Sequence, residues 1–143
     1  MGNCTWIQKE IRLKSQKRGF HLVTDEILGQ ITELSKISIG MLNVFIKHTS
    51  ASLTINENAD PTVRQDFESF FNRAVPENES YYRHLDEGSD DLPSHLKSSI
   101  MGSALNIPIT DGRLNLGIWQ GIYLCEHRNN GGSRTIVVTV NGE

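Results

Sequence analysis

MLNVFIKHTSASLTINENAD, residues 41–60, is the stretch whose reading decides the fold. Leu42, Val44 and Ile46 alternate with Asn43, Phe45 and Lys47, the period of two expected of a strand that buries one face. The alternation stops at His48. The hydroxyls of Thr49 and Ser50 follow, and Leu53 and Ile55 then alternate with Thr54 and Asn56 as a second strand. Asp60-Pro61 starts a helix, with a capping carboxylate and a proline at the first helical position, where its missing N–H is not needed. An imidazole at the end of a buried strand, next to two hydroxyls, puts a titratable group on a rigid element, so His48 is the first candidate for chemistry.

Upstream, residues 5–13 alternate as an amphipathic strand, 15–19 turn it, and 20–24 read as a second strand. Thr24 or Asp25 caps a helix that carries Ile27, Leu28, Ile31 and Leu34 on one face and ends near Ser35. Downstream, Val63, Phe67, Phe70, Phe71 and Ala74 recur at helical spacing, so the Pro61 helix is expected to bury an aromatic stripe against a sheet. Residues 75–92 form a long polar loop. Loops of that length in compact domains are functional or disordered, and Tyr81, Tyr82, His84 and the break at Gly88 favour an ordered, functional one. Pro93 opens a short helix ending near Gly102, with Leu96 and Ile100 expected inward and His95 in its first turn. The remainder reads as strands over 107–109, 114–117, 118–126 and 135–140, with turns at 111–112 and 129–132: a meander of antiparallel hairpins. The order implies an α+β fold, mainly antiparallel sheet or sheets packed with two longer helices and one short helix, in a single compact domain over residues 1–143.

A chain of 143 residues that is 37% hydrophobic is long enough to bury one core. Its 14 basic and 17 acidic residues give a net charge of -3, which supplies no global attraction to nucleic acid or to an acidic membrane. Cys4 and Cys125 make no disulfide framework, and no apolar run has signal-peptide or membrane-span length, so a soluble cytoplasmic protein is expected. Met1-Gly2-Asn3-Cys4 opens like a myristoylation signal, but Trp6 stands where that signal needs Ser or Thr.

Among five histidines, His21 lies between Phe20 and Leu22 in a strand and reads as structural, whereas His127 sits at the mouth of the last turn. His48, His84 and His95 fall at a strand end, in a loop and in the first turn of a helix, three elements that can converge. Three imidazoles leave a coordination position open, as in a catalytic zinc site, although no CxxC or HExxH spacing marks one. Asp90 is the carboxylate expected to fix a ring tautomer or to hold a hard cation such as magnesium; Asp91 reads as a helix cap. Arg113, Arg128 and Arg134 border the late turns, where each can grip a phosphate bidentately. Gln120, polar inside an apolar strand, needs a hydrogen-bond partner if buried.

His48-Thr49-Ser50 with Ala51-Ser52-Leu53, Asn56-Glu57, Asp60-Pro61, Tyr82-Arg83-His84, the segment from Gly88 to His95, and Leu116-Gly117-Ile118-Trp119-Gln120-Gly121 together resemble the YjbQ-like family over nearly the whole chain. The resemblance implies an α+β homotrimer with a polar pocket near the subunit contacts, and an assigned thiamine-phosphate synthase activity, often described as secondary. The family's histidine pattern falls on His48, His84 and His95, with Asp90 and Gln120 at matching positions. Ile118 departs from it, standing where the family often has Thr. What the resemblance implies is a transferase that joins a pyrimidine-methyl diphosphate to a thiazole phosphate and releases pyrophosphate. In that reading His48, His84, Asp90 and Gln120 are catalytic, and His48, His84 and His95 hold a divalent metal, zinc or magnesium. Thr49, Ser50, Arg128 and Arg134 take the phosphates of a small phosphorylated substrate. Two other classes fit the same residues: a metal-dependent hydrolase of a small substrate, and a non-enzymatic trimer that binds a metal or small ligand.

Overall fold

The run from Gly121 to Glu126 is buried at every residue, and a strand buried on both faces belongs at the centre of a covered sheet. The computed structural model, which describes residues 3–143, places it there; Met1 and Gly2, on which the myristoylation reading falls, lie outside the described residues. The chain runs β1 (Thr5–Arg12), β2 (Gly19–Leu22), α1 (Thr24–Leu28), β3 (Ile39–Ile46), β4 (Ala51–Glu57), α2 (Pro61–Ala74), α3 (Asp91–Met101), β5 (Ala104–Thr110), β6 (Arg113–Leu114), β7 (Gln120–Glu126) and β8 (Thr135–Gly142). Five strands form one sheet in the order β1-β8-β3-β5-β6, and three form another in the order β2-β7-β4; every pair is antiparallel.

Between the sheets lies one aliphatic core. Leu42, Val44 and Ile46 of β3 and Ile136, Val138 and Val140 of β8 meet Leu53 of β4 and Ile122 and Leu124 of β7. Each such side chain, removed wholly from water, contributes about 1.5–3 kcal/mol relative to an exposed one. On the far side of the smaller sheet, Phe20, Tyr123 and Cys125 form a second cluster under Phe67 and Phe71 of α2 and Met101 of α3. The α+β class and the two predicted strands of residues 41–60 therefore stand, as does the Pro61 helix, whose Asp60 carboxylate accepts from the Thr62 N–H at 2.9 Å.

Four local expectations are corrected. The late strands are not a meander: β7 joins the smaller sheet while β8 crosses to the larger one, between β1 and β3. The helix expected from residue 25 to 35 stops at Leu28 and resumes as a 3₁₀ turn over Thr32–Lys36. Gly29 and the β-branched Ile31 and Thr32 are poor helix formers, and the break still buries Ile27, Ile31 and Leu34. On α2 only Phe67 and Phe71 reach the second cluster, while Phe70 is 63% exposed. Helix α3 begins at Asp91, two residues before its proline, and buries Asp91, Pro93, Ser94 and Lys97, so Leu96 and Ile100 face outward.

Two of the crossings between the sheets, residues 47–50 and 127–134, lie at the same end of the sandwich, where Ala51 pairs with Glu126 and Ile46 with Ile136. Helix α3 packs on β4 beside them. That end holds the candidate site.

Candidate functional site

Starting α3 at Asp91 puts Asp91 and His95 four residues apart on one helical face, and the two side chains meet there: His95 Nε2 lies 3.1 Å from Asp91 Oδ2. His84 arrives from the loop before the helix, its Nε2 2.8 Å from the same oxygen. That loop is ordered by its own contacts, among them the Tyr82 hydroxyl donating to the Pro76 carbonyl at 2.8 Å. Gly88, at φ +105°, makes the turn that brings His84 back onto the helix, a conformation that strains any side chain. The two ring nitrogens and the carboxylate oxygen all lie within 4.8 Å of one another.

Asp91 is 3% exposed, and Arg128 holds it from behind. The guanidinium donates to Asp91 Oδ1 at 2.6 Å, to Asp90 Oδ2 at 2.9 Å and to the Glu87 carbonyl at 2.8 Å. Asp90 also accepts from the Asn129 N–H at 2.9 Å, so its carboxylate is not available as a helix cap. Burial alone would raise the Asp90 carboxyl, but the Asn129 N–H and the Arg128 guanidinium outweigh it and hold it below the usual carboxylate range.

On its other nitrogen, His95 donates from Nδ1 to the Thr49 carbonyl at 2.9 Å, and the Ser98 hydroxyl donates to the same carbonyl at 2.7 Å. His48, Thr49, His95, Ser98, Ser99 and Ser103 line an open cleft of about 530 Å³. His48 Nε2 accepts from the Thr135 N–H at 2.8 Å, which commits its lone pair. Burial first, and the Arg134 guanidinium second, push the His48 imidazole below its ordinary pKa.

Beneath the cleft lies a buried polar layer. Arg134 and Glu126, both almost wholly buried, form a bidentate pair at 2.7 and 2.6 Å. Arg134 Nη2 also donates to the Ser50 carbonyl at 3.3 Å. Ser52 and His127, equally buried, share a hydrogen bond of 2.8 Å. Burial, aided by Lys97, Arg18 and Arg134, pushes His127 down to about 3, and burial pushes the Cys125 thiol up to about 12.

Of the residues singled out from sequence, His84 and His95 are brought together, and His48 and Thr49 share their cleft. His48 is not in the three-residue cluster; Asp91, read as a cap, takes the third place. Asp90 stands beside the cluster, tied to Arg128. Arg128 and Arg134, expected to hold phosphate, are corrected: they are engaged within the chain by the Asp90, Asp91 and Glu126 carboxylates and by the Glu87 and Ser50 carbonyls. Ser50 contributes its carbonyl to Arg134. Gln120 is at the other end of β7, about 20 Å away by six strand residues, where it accepts from the Gly117 N–H. The sequence reading missed Asp91 as a member of the cluster and the buried Glu126, Ser52 and Lys97. The Asp91-x-x-x-His95 spacing was the available signal for the first.

Fold and site together define an α+β two-sheet sandwich with a histidine–carboxylate–histidine cluster at the rim of an open cleft. The chain belongs to the YjbQ family: the family model described as UPF0047 protein YjbQ-like matches residues 9–143. It is 55% identical over 138 residues to the UPF0047 protein YjbQ of Escherichia coli O157:H7, covering 96% of this chain and 99% of that one. The UPF0047 protein sll1880 of Synechocystis is 42% identical over 136 residues, covering 95% and 92%. A crystal structure of an uncharacterised conserved protein of this family from Clostridium acetobutylicum superposes with a TM-score of 0.78 at 34% identity, over 94% of this chain and 98% of that one. For the fold alone, a YbjQ-like protein of unknown function from Sulfolobus solfataricus P2 gives a TM-score of 0.86 at 24% identity, over 99% and 100%. Among the described residues no helix is long and apolar enough to cross a membrane.

Proposed function

We propose that the chain is a metal-dependent hydrolase of a small substrate, holding a divalent transition metal on His84, Asp91 and His95 beside the cleft. One observation carries this reading. Because His95 Nδ1 donates to the Thr49 carbonyl, a neutral imidazole turns its Nε2 lone pair toward Asp91 Oδ2, 3.1 Å away. Two acceptors that close need a cation between them, either a proton or a metal. His84 Nε2 on the same oxygen makes the set two imidazoles and one carboxylate, with His95 and Asp91 oriented from behind by Thr49 and Arg128.

The donor set fits zinc or a similar transition metal and not magnesium, which prefers oxygen. Tetrahedral metal–ligand bonds of about 2.0–2.2 Å place ligand atoms roughly 3.3–3.6 Å apart, so the 2.8 and 3.1 Å contacts of the metal-free cluster open by about half an ångström to admit the ion. Such a metal supplies a Lewis acid for water or a substrate oxygen. The chain's own contribution would be the His84, Asp91 and His95 ligand set and a cleft lined by Ser99 and Ser103, whose hydroxyls suit a polar substrate.

The transferase reading, thiamine-phosphate synthesis, is supported by the family resemblance. It requires basic groups to neutralise a leaving diphosphate. Since Arg128 and Arg134 are committed internally, hydrolysis is the reading the geometry favours. We place the enzyme in the cytoplasm as a homotrimer; the exposed Trp6, Ile39, Met41 and Phe45 on the larger sheet support self-assembly.

Elemental analysis after gel filtration tests the metal. The expected result is one zinc per chain, lost in His84→Ala and in Asp91→Asn while both variants remain folded. A protein that neither retains nor takes up zinc, manganese or iron on titration defeats the reading and leaves Asp91 bridged by protons.

A further inference from the structure

On another face of the molecule the turn before β2 and the first two turns of α2 enclose a cleft of about 540 Å³, lined by Lys17, Arg18, His21, Arg64 and Glu68 among others. Its charges are unequal. Arg18 is saturated: it donates to Glu68 at 3.1 Å, Glu77 at 3.2 Å and Asn72 at 2.6 Å. Glu68 is thereby neutralised and also accepts from Asn72. The nearby Asp60 carboxylate is engaged by the Thr62 N–H and hydroxyl as the helix cap. Among the described residues, Lys17 and Arg64 meet no carboxylate within salt-bridge distance.

Arg64 is the residue that makes this more than a basic surface. Its Nε is buried from solvent and has no hydrogen-bond acceptor, one of two such orphaned side-chain atoms among the described residues. A sequestered N–H on a charged group is costly to leave unmade, and a turn of the Arg64 side chain toward an acceptor in the cleft removes that cost. The cleft's walls are held in place: His21 donates from Nε2 to the Lys17 carbonyl at 2.6 Å, which fixes the turn carrying Lys17. Phe20 of β2 packs on Phe67 of α2 at 5.4 Å between ring centres, which fixes the two walls relative to each other.

We infer that this cleft is an anion site, separate from the histidine cluster, that takes the phosphate group of a small phosphorylated ligand. A planar guanidinium with a free fork suits phosphate oxygens bidentately, and Lys17 adds a second positive charge. The chain's net charge of -3 means that the attraction is local to this cleft and not a property of the whole surface. The expected phosphate-binding arginines, Arg128 and Arg134, are internally paired, and Arg64 is where the structure leaves such a donor unpaired.

The test is isothermal titration of inorganic phosphate and of pyrophosphate into chelator-treated protein, so that no metal contributes. Saturable binding is expected, weakened about tenfold in Arg64→Gln, by loss of one charge-assisted contact, and also weakened in Lys17→Gln. In His95→Ala, where the histidine cluster is broken, binding is expected to be unchanged. Circular dichroism melting shows whether each variant folds, and the exposed Lys17 gives a readout if Arg64→Gln does not. Three results overturn the inference: no saturable binding of either anion, wild-type affinity in both charge variants, or weakened binding in His95→Ala.

Discussion

Replacing His127 with glutamine removes a titrating group from the buried layer while leaving an amide in reach of the Ser52 hydroxyl. In the wild type, His127 is 2% exposed, hydrogen-bonded to Ser52, and faced by Lys97 from α3, Arg18 from the β1–β2 turn and Arg134 from the crossing into β8. Burial and those three cations hold its pKa at about 3, against 6.5 for an ordinary imidazole. Between those values the unfolded chain binds a proton that the folded chain does not, so stability falls as pH falls, by about 1.4 kcal/mol per unit. From pH 7.5 to pH 5 the loss from this one residue is about 2 kcal/mol. The carboxyls of Asp60 and Asp90, both held below the usual carboxylate range, contribute their own loss only as the pH falls through that range and beneath it, outside this window. His48, also pushed down, adds to the fall in both proteins. Urea denaturation at pH 7.5, 6.5, 5.5 and 5, with chelator present, reads the effect. The glutamine variant is expected to lose about 2 kcal/mol less than wild type over that range, a large part of a domain's typical 5–15 kcal/mol. Parallel pH profiles for the two proteins would refute the claim that His127 is held neutral by its surroundings.

Two further outcomes follow from the same end of the sandwich. Arg134→Met strands the Glu126 carboxylate, which is fully buried, and is expected to cost about 3–5 kcal/mol in chemical denaturation; a loss below 1 kcal/mol would mean that Glu126 finds another partner or takes up a proton. Arg128→Met frees Asp91 and Asp90 from their anchor and is expected to weaken zinc binding about 10–100-fold with the fold retained, as read by competition with a chromogenic chelator. Unchanged zinc affinity would show that Asp91 keeps its orientation without the guanidinium.

What the sequence made legible was what periodicity and caps encode. The alternation of residues 42–46 and the Asp60-Pro61 start both reappear as read, because each depends on neighbours a few residues away. The distribution of strands between sheets was not legible. A hairpin and a crossing between sheets both present two apolar strands and a Gly-Asn turn, and what separates β7 from β8 is that β7 needs cover on both faces. The α3 error had a similar source. Leu96 and Ile100 suggested the inward face, but the true inward face carries Asp91, Ser94 and Lys97, whose burial becomes affordable only through partners remote in sequence: Arg128, Asn72 and the loop with His84. One misplaced helix start, Pro93 for Asp91, hid the Asp91–His95 contact, since the two share a face only if the helix includes both.

Buried charge at this end of the molecule does not exist to stabilise the fold. A paired Arg–Glu in an apolar setting is often no better than well-packed hydrophobic residues of similar volume, and Lys97, pushed below its ordinary pKa by burial, makes one hydrogen bond, to Asn72. What these groups do is fix backbone atoms. Arg134 grips the Ser50 carbonyl on one crossing while Glu126 accepts from the Arg128 N–H on the other, and Gly131 passes so close that a Cβ there would lie 2.3 Å from the Glu126 carboxylate. The crossings are thereby locked with the Thr49 carbonyl aimed at His95 and the Thr135 N–H aimed at His48. Each of these two cleft histidines takes its tautomer from a backbone group that the buried ion pair holds in place, so the polar layer and the cleft above it act as one unit.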